Sequence, residues 1–129
     1  MEKKIVLAID DNTVDLNTLQ GILSDDYLFS AVTSASAALS FLNSNKVDII
    51  LLDIVMPNIS GFEFLYDIRK IPSYIDVPII IVSSKNGEDF FKEARNSSAF
   101  DVVSKPVLPN RLISIIEKAL ANTATRTES

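Results

Sequence analysis

Apolar residues along this chain fall into two kinds of pattern that take turns. Short unbroken runs alternate with stretches in which apolar positions recur every three or four residues. The runs are Lys4-Ile5-Val6-Leu7-Ala8-Ile9, Leu28 to Thr33, Asp48-Ile49-Ile50-Leu51-Leu52-Asp53, Ile79-Ile80-Ile81-Val82 after Pro78, and Phe100 to Val103. Runs of this length closed by polar residues read as strands buried on both faces. Between them, Val14, Leu16, Leu19, Ile22 and Leu23 predict a helix over about 14–25. A short helix is expected over 35–42, with Ser34 or Ser36 at its cap. Phe62, Leu65 and Ile68 carry the next one, a polar helix is expected over 88–96, and 56–61 reads as a loop. Pro109 suits a first helical turn, and Leu112, Ile113, Ile115, Ile116, Ala119 and Leu120 make an amphipathic final helix. Five strands alternating with five helices define an α/β protein with a parallel sheet. We expect one domain over residues 1–122 and a frayed polar tail over 123–129.

Composition narrows the class of function. The 129 residues are 47% hydrophobic and 22% charged, enough apolar material for one core. A mean hydropathy of +0.25 fits a sheet covered on both faces. No apolar run reaches the roughly 18–20 residues of a membrane span, and no signal-peptide pattern opens the chain, so a cytoplasmic location without membrane contact is expected. The net charge of −5 makes direct binding to nucleic acid a poor reading. There is no Cys and no His. Disulfides, thiolate catalysis and the commonest metal ligands are thereby excluded, leaving carboxylates, hydroxyls and Lys to do any chemistry.

In open parallel sheets, ligands bind beyond the carboxyl ends of the strands. Four of the apolar runs end at Asp10-Asp11, Asp53, Ser83 and Lys105, so these side chains can converge on one edge. Each has an ordinary reading: an Asp or Ser after a strand commonly caps a helix, Asp-Asp is often a solvated turn, and Lys-Pro is usually a turn. Occurring together, they point to an acidic crevice that a hard divalent cation would neutralise, Mg²⁺ or Mn²⁺. The crevice alone does not name a function.

Ile9-Asp10-Asp11-Asn12, Leu51-Leu52-Asp53-Ile54-Val55-Met56-Pro57, Gly61, Pro78 through Ser83 and Lys105-Pro106, at their spacing, resemble the receiver domain of two-component response regulators. The likeness runs from about Lys4 to Leu120. It implies a flavodoxin-like, doubly wound five-stranded sheet in the order 2-1-3-4-5. It also implies that Asp53 accepts a phosphoryl group from a phosphohistidine on a histidine kinase or phosphotransfer domain. By the same likeness Asp10, Asp11, Asp53 and the Val55 carbonyl bind Mg²⁺, Lys105 pairs with Asp53 and then the phosphoryl oxygens, and Ser83 bonds the phosphoryl group after transfer. The Lys105-Pro106 bond would be cis. Such a protein is a phosphoacceptor rather than a turnover enzyme. It signals to a downstream protein or output domain, as a monomer or as a phosphorylation-dependent homodimer.

Some positions depart from that pattern. Val102 stands where the family usually has Tyr or Phe, and Phe100, on the same face of its strand, is expected to stay in the core. Ser98 replaces a frequent Gly, which would bring strain if the position needs a positive φ. By the same likeness Val55 and Lys85 would flank the phosphoryl position, and an apolar Val55 would slow hydrolysis. Val102 also keeps open a second reading, an interaction module not governed by phosphorylation. A third, an aspartyl-phosphate hydrolase, lacks its D-x-D-x-T pattern. No output domain is expected after Leu120, so the chain would act by docking or as the receiver of a longer protein.

Overall fold

Each of the five apolar runs is a strand in the computed structural model, which describes residues 2–128. They are β1 (Ile5–Ile9), β2 (Leu28–Val32), β3 (Ile49–Leu52), β4 (Ile79–Ser83) and β5 (Asp101–Ser104). All neighbours are parallel, in the order β2-β1-β3-β4-β5, so the chain steps from β1 outward to β2, crosses back past β1 to β3, and continues in that direction to β4 and β5. The register explains the two-sided core. Ile9 sits beside Leu52 and Leu52 beside Ile81, so side chains at one level point to one face. Leu7, Ile9, Ile50, Leu52, Ile79 and Ile81 line one face of the sheet, and Val6, Ala8, Ile49, Leu51, Ile80 and Val82 the other.

Helices cover both faces. On the Val6 side pack α1 (Thr13–Leu23), through Leu16, Leu19 and Leu23, and α5 (Pro109–Glu128), through Leu112, Ile115, Ile116 and Ala119. The Leu7 side takes α2 (Ala35–Ser44), α3 (Gly61–Arg69) and, through Phe90 and Ala94, α4 (Glu88–Asn96). Side chains start three of these helices: Asn12 accepts from the Val14 and Asp15 N–H groups, Ser34 from Ala37, and Ser60 from Glu63. The final helix continues to Glu128, so a boundary at 122 falls inside it. No Gly or Pro follows Pro109 before Glu128 to end the helix, and the Thr123 hydroxyl donates to the Ala119 carbonyl within it.

Three other departures from the sequence reading bear on the site. The expected loop after β3 contains a small antiparallel hairpin, Val55–Met56 against Ile59–Ser60. Its turn places Pro57 before Asn58, whose φ of 63° is the left-handed value the third residue of such a turn requires. Phe100 is 38% exposed and is not a core residue. It precedes the edge strand β5, which has a neighbour on one side only; Val102 packs partly buried against the Leu7-side core. Ser98 carries no left-handed strain, since among the described residues only Asn58 and Gly87 have positive φ. Its carbonyl and hydroxyl instead accept hydrogen bonds from the Arg69 guanidinium, at 2.9 and 2.8 Å, and that guanidinium also donates to the carbonyls of Tyr74 and Val77.

A short 3₁₀ turn, Pro72–Tyr74, carries a buried tyrosine. The Tyr74 hydroxyl lies 3.0 Å from the Leu42 carbonyl and 2.6 Å from that of Asn45, so its one proton is shared between backbone acceptors at the end of α2. Tyr74→Phe is expected to cost about 1–2 kcal/mol in denaturant unfolding, the scale of a lost buried hydrogen bond. Burial also raises the Tyr74 phenol above its ordinary value. A group raised on folding contributes stability that is complete below its unfolded pKa and is lost as pH rises through the folded one. Wild-type stability therefore falls on the alkaline side of the ordinary phenol range. Tyr27, raised in the same direction by burial, still titrates in the variant, so Tyr74→Phe is expected to lose less with pH but not to be flat.

Candidate functional site

The sheet's hydrogen bonding extends one residue past the strands and sets the acidic side chains at a common level. The Asp10 N–H donates to the Val32 carbonyl, that of Asp53 to Ile9, and that of Lys105 to Ser83. Each carboxylate then spends one oxygen on its own loop. Asp10 Oδ1 accepts from the Asn12 N–H at 2.9 Å, and Asp53 Oδ1 from the Val55 N–H at 2.9 Å, the two-residue turns Asp favours. Their second oxygens face Lys105, whose Nζ lies 2.8 Å from Asp10 Oδ2 and 3.0 Å from Asp53 Oδ2. The Lys105-Pro106 bond is cis, as expected.

Asp10 and Asp53 are buried and Asp11 is exposed, and one carboxylate oxygen from each lies within 4.8 Å of the others. Ser83 is buried at the same edge, where its hydroxyl accepts from the Lys85 N–H at 3.2 Å. The Val55 side chain stands 54% exposed beside Asp53. One residue that sequence reasoning missed completes the group: Asp15, whose Oδ2 is 2.8 Å from Lys105 Nζ. In the sequence Asp15 reads only as an acid in the first turn of a helix capped by Asn12.

Burial pushes the Asp10 carboxyl up, with the nearby Asp53 charge adding to the rise and the bonds from Lys105 and Asn12 pulling against it. Burial also works against the Lys105 ammonium, but hydrogen bonds to Asp10, Asp15 and Asp53 outweigh it, and its pKa rises above the ordinary lysine value. The two shifts differ in what they imply for the Asp10–Lys105 pair, and the geometry favours the lysine's. With three carboxylate oxygens on one ammonium, Lys105 stays charged, and Asp10 is the group that bears the burial.

The donors are all oxygens, the net charge of the group is negative, and Asp11 opens it to solvent. That set suits a hard divalent cation such as Mg²⁺, which keeps several waters and takes one or two carboxylates. Four carboxylates against one ammonium have charge to spare for it.

Fold and site together define a flavodoxin-like α/β domain whose acidic crevice lies at the carboxyl edge of its sheet. Comparison with known proteins gives that class a family. Residues 6–117 match the response regulator receiver domain. The chain is 32% identical over 117 residues to the two-component response regulator ORR5 of Oryza sativa subsp. japonica, covering 89% of this chain and 87% of that one. ORR11 of Oryza sativa subsp. indica is also 32% identical over 117 residues, with 89% of this chain and 80% of the relative covered. Among solved structures, the chemotaxis protein CheY4 of Vibrio cholerae superposes with a TM-score of 0.86 at 25% identity, over 92% of this chain and 100% of that one. A CheY-like receiver domain protein from Methanospirillum hungatei gives 0.88 at 24% identity, over 97% and 99%, a likeness of fold. The chain belongs to the response regulator receiver family. Its acidic cluster is of the kind typical of receiver Mg²⁺ sites, and membership implies a histidine kinase or phosphotransfer partner. Receivers are typically phosphoacceptors rather than turnover enzymes. Among the described residues, no helix is long and apolar enough to cross a membrane.

Proposed function

We propose that this receiver takes a phosphoryl group from a phosphohistidine of a partner kinase or phosphotransfer domain onto Asp53, and that the change at the crevice alters what the domain binds. The observation that carries the reading is the setting of Asp53: 7% exposed, one oxygen fixed by the Val55 N–H, the other against Lys105, with Asp10 and Asp11 alongside. In the transfer, a carboxylate oxygen of Asp53 attacks phosphorus in line. The new O–P bond forms as the N–P bond to the partner's imidazole breaks, and the imidazole leaves with the electron pair. Asp10, Asp11, Asp53 and the Val55 carbonyl would hold Mg²⁺, which when bound supplies neutralising charge for the transferring phosphoryl oxygens. Lys105 shares that neutralisation and holds the carboxylate in place beforehand, so the cost of orienting it is met before the partner arrives.

Ser83 then donates its hydroxyl to a phosphoryl oxygen, leaving its bond with the Lys85 N–H to rearrange, and the loop after β4 follows it. The output is a protein partner or a second copy of the chain; the net charge of −5 makes direct nucleic-acid binding a poor output.

Intact mass after incubation with Mg²⁺ and acetyl phosphate tests the reading. Gain of one phosphoryl group, abolished by EDTA, supports it. No gain from folded protein, with a phosphohistidine donor also tried, shifts the weight to an interaction module independent of phosphorylation. Once formed, the acyl phosphate is expected to last. The exposed apolar Val55 gives an attacking water no hydrogen bond, so Val55→Asn is expected to speed loss of the phosphoryl group by about tenfold at most, the scale of one such bond. The decay of the phosphorylated mass with time reads this directly, and an unchanged half-life counts against it.

A further inference from the structure

Asp15 lies outside every motif by which the site was recognised, yet it holds one third of the lysine. An ammonium has three N–H donors. Lys105 Nζ has carboxylate oxygens at 2.8, 2.8 and 3.0 Å from Asp10, Asp15 and Asp53, so all three donors are committed. A phosphoryl oxygen arriving at Asp53 can be bound by Lys105 only if one of those oxygens lets go. The three differ in how easily they do so. The Asp10 and Asp53 side chains are 3% and 8% exposed, each with its other oxygen tied to a backbone N–H in its own loop. The Asp53 contact can pass to the phosphoryl group only as the O–P bond forms, so neither frees the ammonium for the group as it arrives. The Asp15 side chain is 35% exposed, on the first turn of α1, where it can turn to water. Leaving a buried carboxylate without its counter-charge costs far more than releasing one that water reaches.

We infer that Asp15 is a latch on Lys105: it completes the ammonium's hydrogen bonding at rest and is the contact given up when the phosphoryl group arrives. It is a positioning residue that acts through Lys105, and the inference rests on the phosphoacceptor reading above. The latch sets how readily the lysine changes partners, and so how strongly the resting site resists the phosphorylated state.

The test uses beryllofluoride as the probe, standing in for the phosphoryl group on Asp53, at saturating Mg²⁺, with affinity read from amide chemical shifts. Asp15→Ala removes the acceptor; Asp15→Asn removes the charge but keeps an acceptor oxygen. Affinity is expected to rise about threefold to tenfold for Asp15→Ala and by less for Asp15→Asn, the scale of one partly exposed ion pair. The gain persists at about 1 M salt, where charges more than roughly 3 Å apart are screened. In the metal-free protein, the ¹⁵Nζ signal of Lys105 shifts in Asp15→Ala, which a role in helix capping alone would not cause. If wild type binds the probe and the variants bind it no better, the latch is overturned and the phosphoacceptor reading stands. Equal gains in both variants that vanish in salt also overturn it, reducing Asp15 to a through-space charge. If wild type does not bind the probe at all, the phosphoacceptor reading fails and takes the latch with it.

Discussion

Asp53→Asn is expected to leave the fold standing and to remove phosphorylation by acetyl phosphate, with the rate falling roughly a thousandfold or more, the scale on which loss of a nucleophile is felt. The amide is nearly the same shape as the carboxylate. Its carbonyl oxygen can still accept from the Val55 N–H, and Lys105 keeps Asp10 and Asp15 as partners. What disappears is the anionic oxygen proposed to attack phosphorus. Intact mass beside wild type decides the matter, with denaturant unfolding as a check on folding. A phosphoryl group retained on the variant would move the acceptor to Asp10 or Asp11, and mapping the modified peptide would tell which. The contrast with Val55→Asn is instructive, because one substitution removes the bond that forms while the other alters only how the product decays.

Gly61→Ala carries the largest expected loss of stability, about 3 kcal/mol or more by denaturant unfolding. A Cβ at Gly61 would stand 2.4 Å from both the Cα and the carbonyl oxygen of Ile54, and 2.8 Å from its carbonyl carbon. These are backbone atoms, so no rotamer change relieves the overlap. Either α3 withdraws from β3 or the segment after Asp53 is pushed aside, and Ile54 is the residue next to the acceptor. Slower phosphorylation is expected alongside the lost stability. Gly21→Ala is the control: nothing lies within 4 Å of a Cβ there, in the last turn of α1, and it is expected to gain about 0.5–1 kcal/mol. If both substitutions stabilise, the close approach at Gly61 is not a constraint.

The parts legible in the sequence share a physical cause. Ile49 to Leu52 and Ile79 to Val82 are apolar without interruption because helices cover both faces of the sheet, and that signal survives without knowledge of the neighbours. Strand ends were equally readable, so Asp10, Asp11, Asp53 and Lys105 were placed on one edge, and the structure brings their side chains together. Contacts across long sequence separation were not readable. Asp15 meets Lys105 ninety positions on, and Arg69 meets Ser98 twenty-nine on; in the sequence one reads as a helix-start acid and the other as a helix-end base. Phe100 was misplaced for a related reason, since apolar character does not say that a strand lies at the edge. The hairpin after β3 is two residues a side, below the length at which alternation carries information.

The Arg69 clasp gives the domain a fixed end and a free one. Its guanidinium joins the end of α3 to the backbone just ahead of β4, at Tyr74 and Val77, and just ahead of β5, at Ser98. Those attachments all lie at the amino edge of the sheet, opposite the crevice. The starts of β4 and β5 are thereby held at a fixed distance from α3. A rearrangement begun at Asp53, as proposed above, would therefore work like a page turned from its outer margin, with the spine held. On that reading, displacement is expected to be largest at the rim, where a partner would read it.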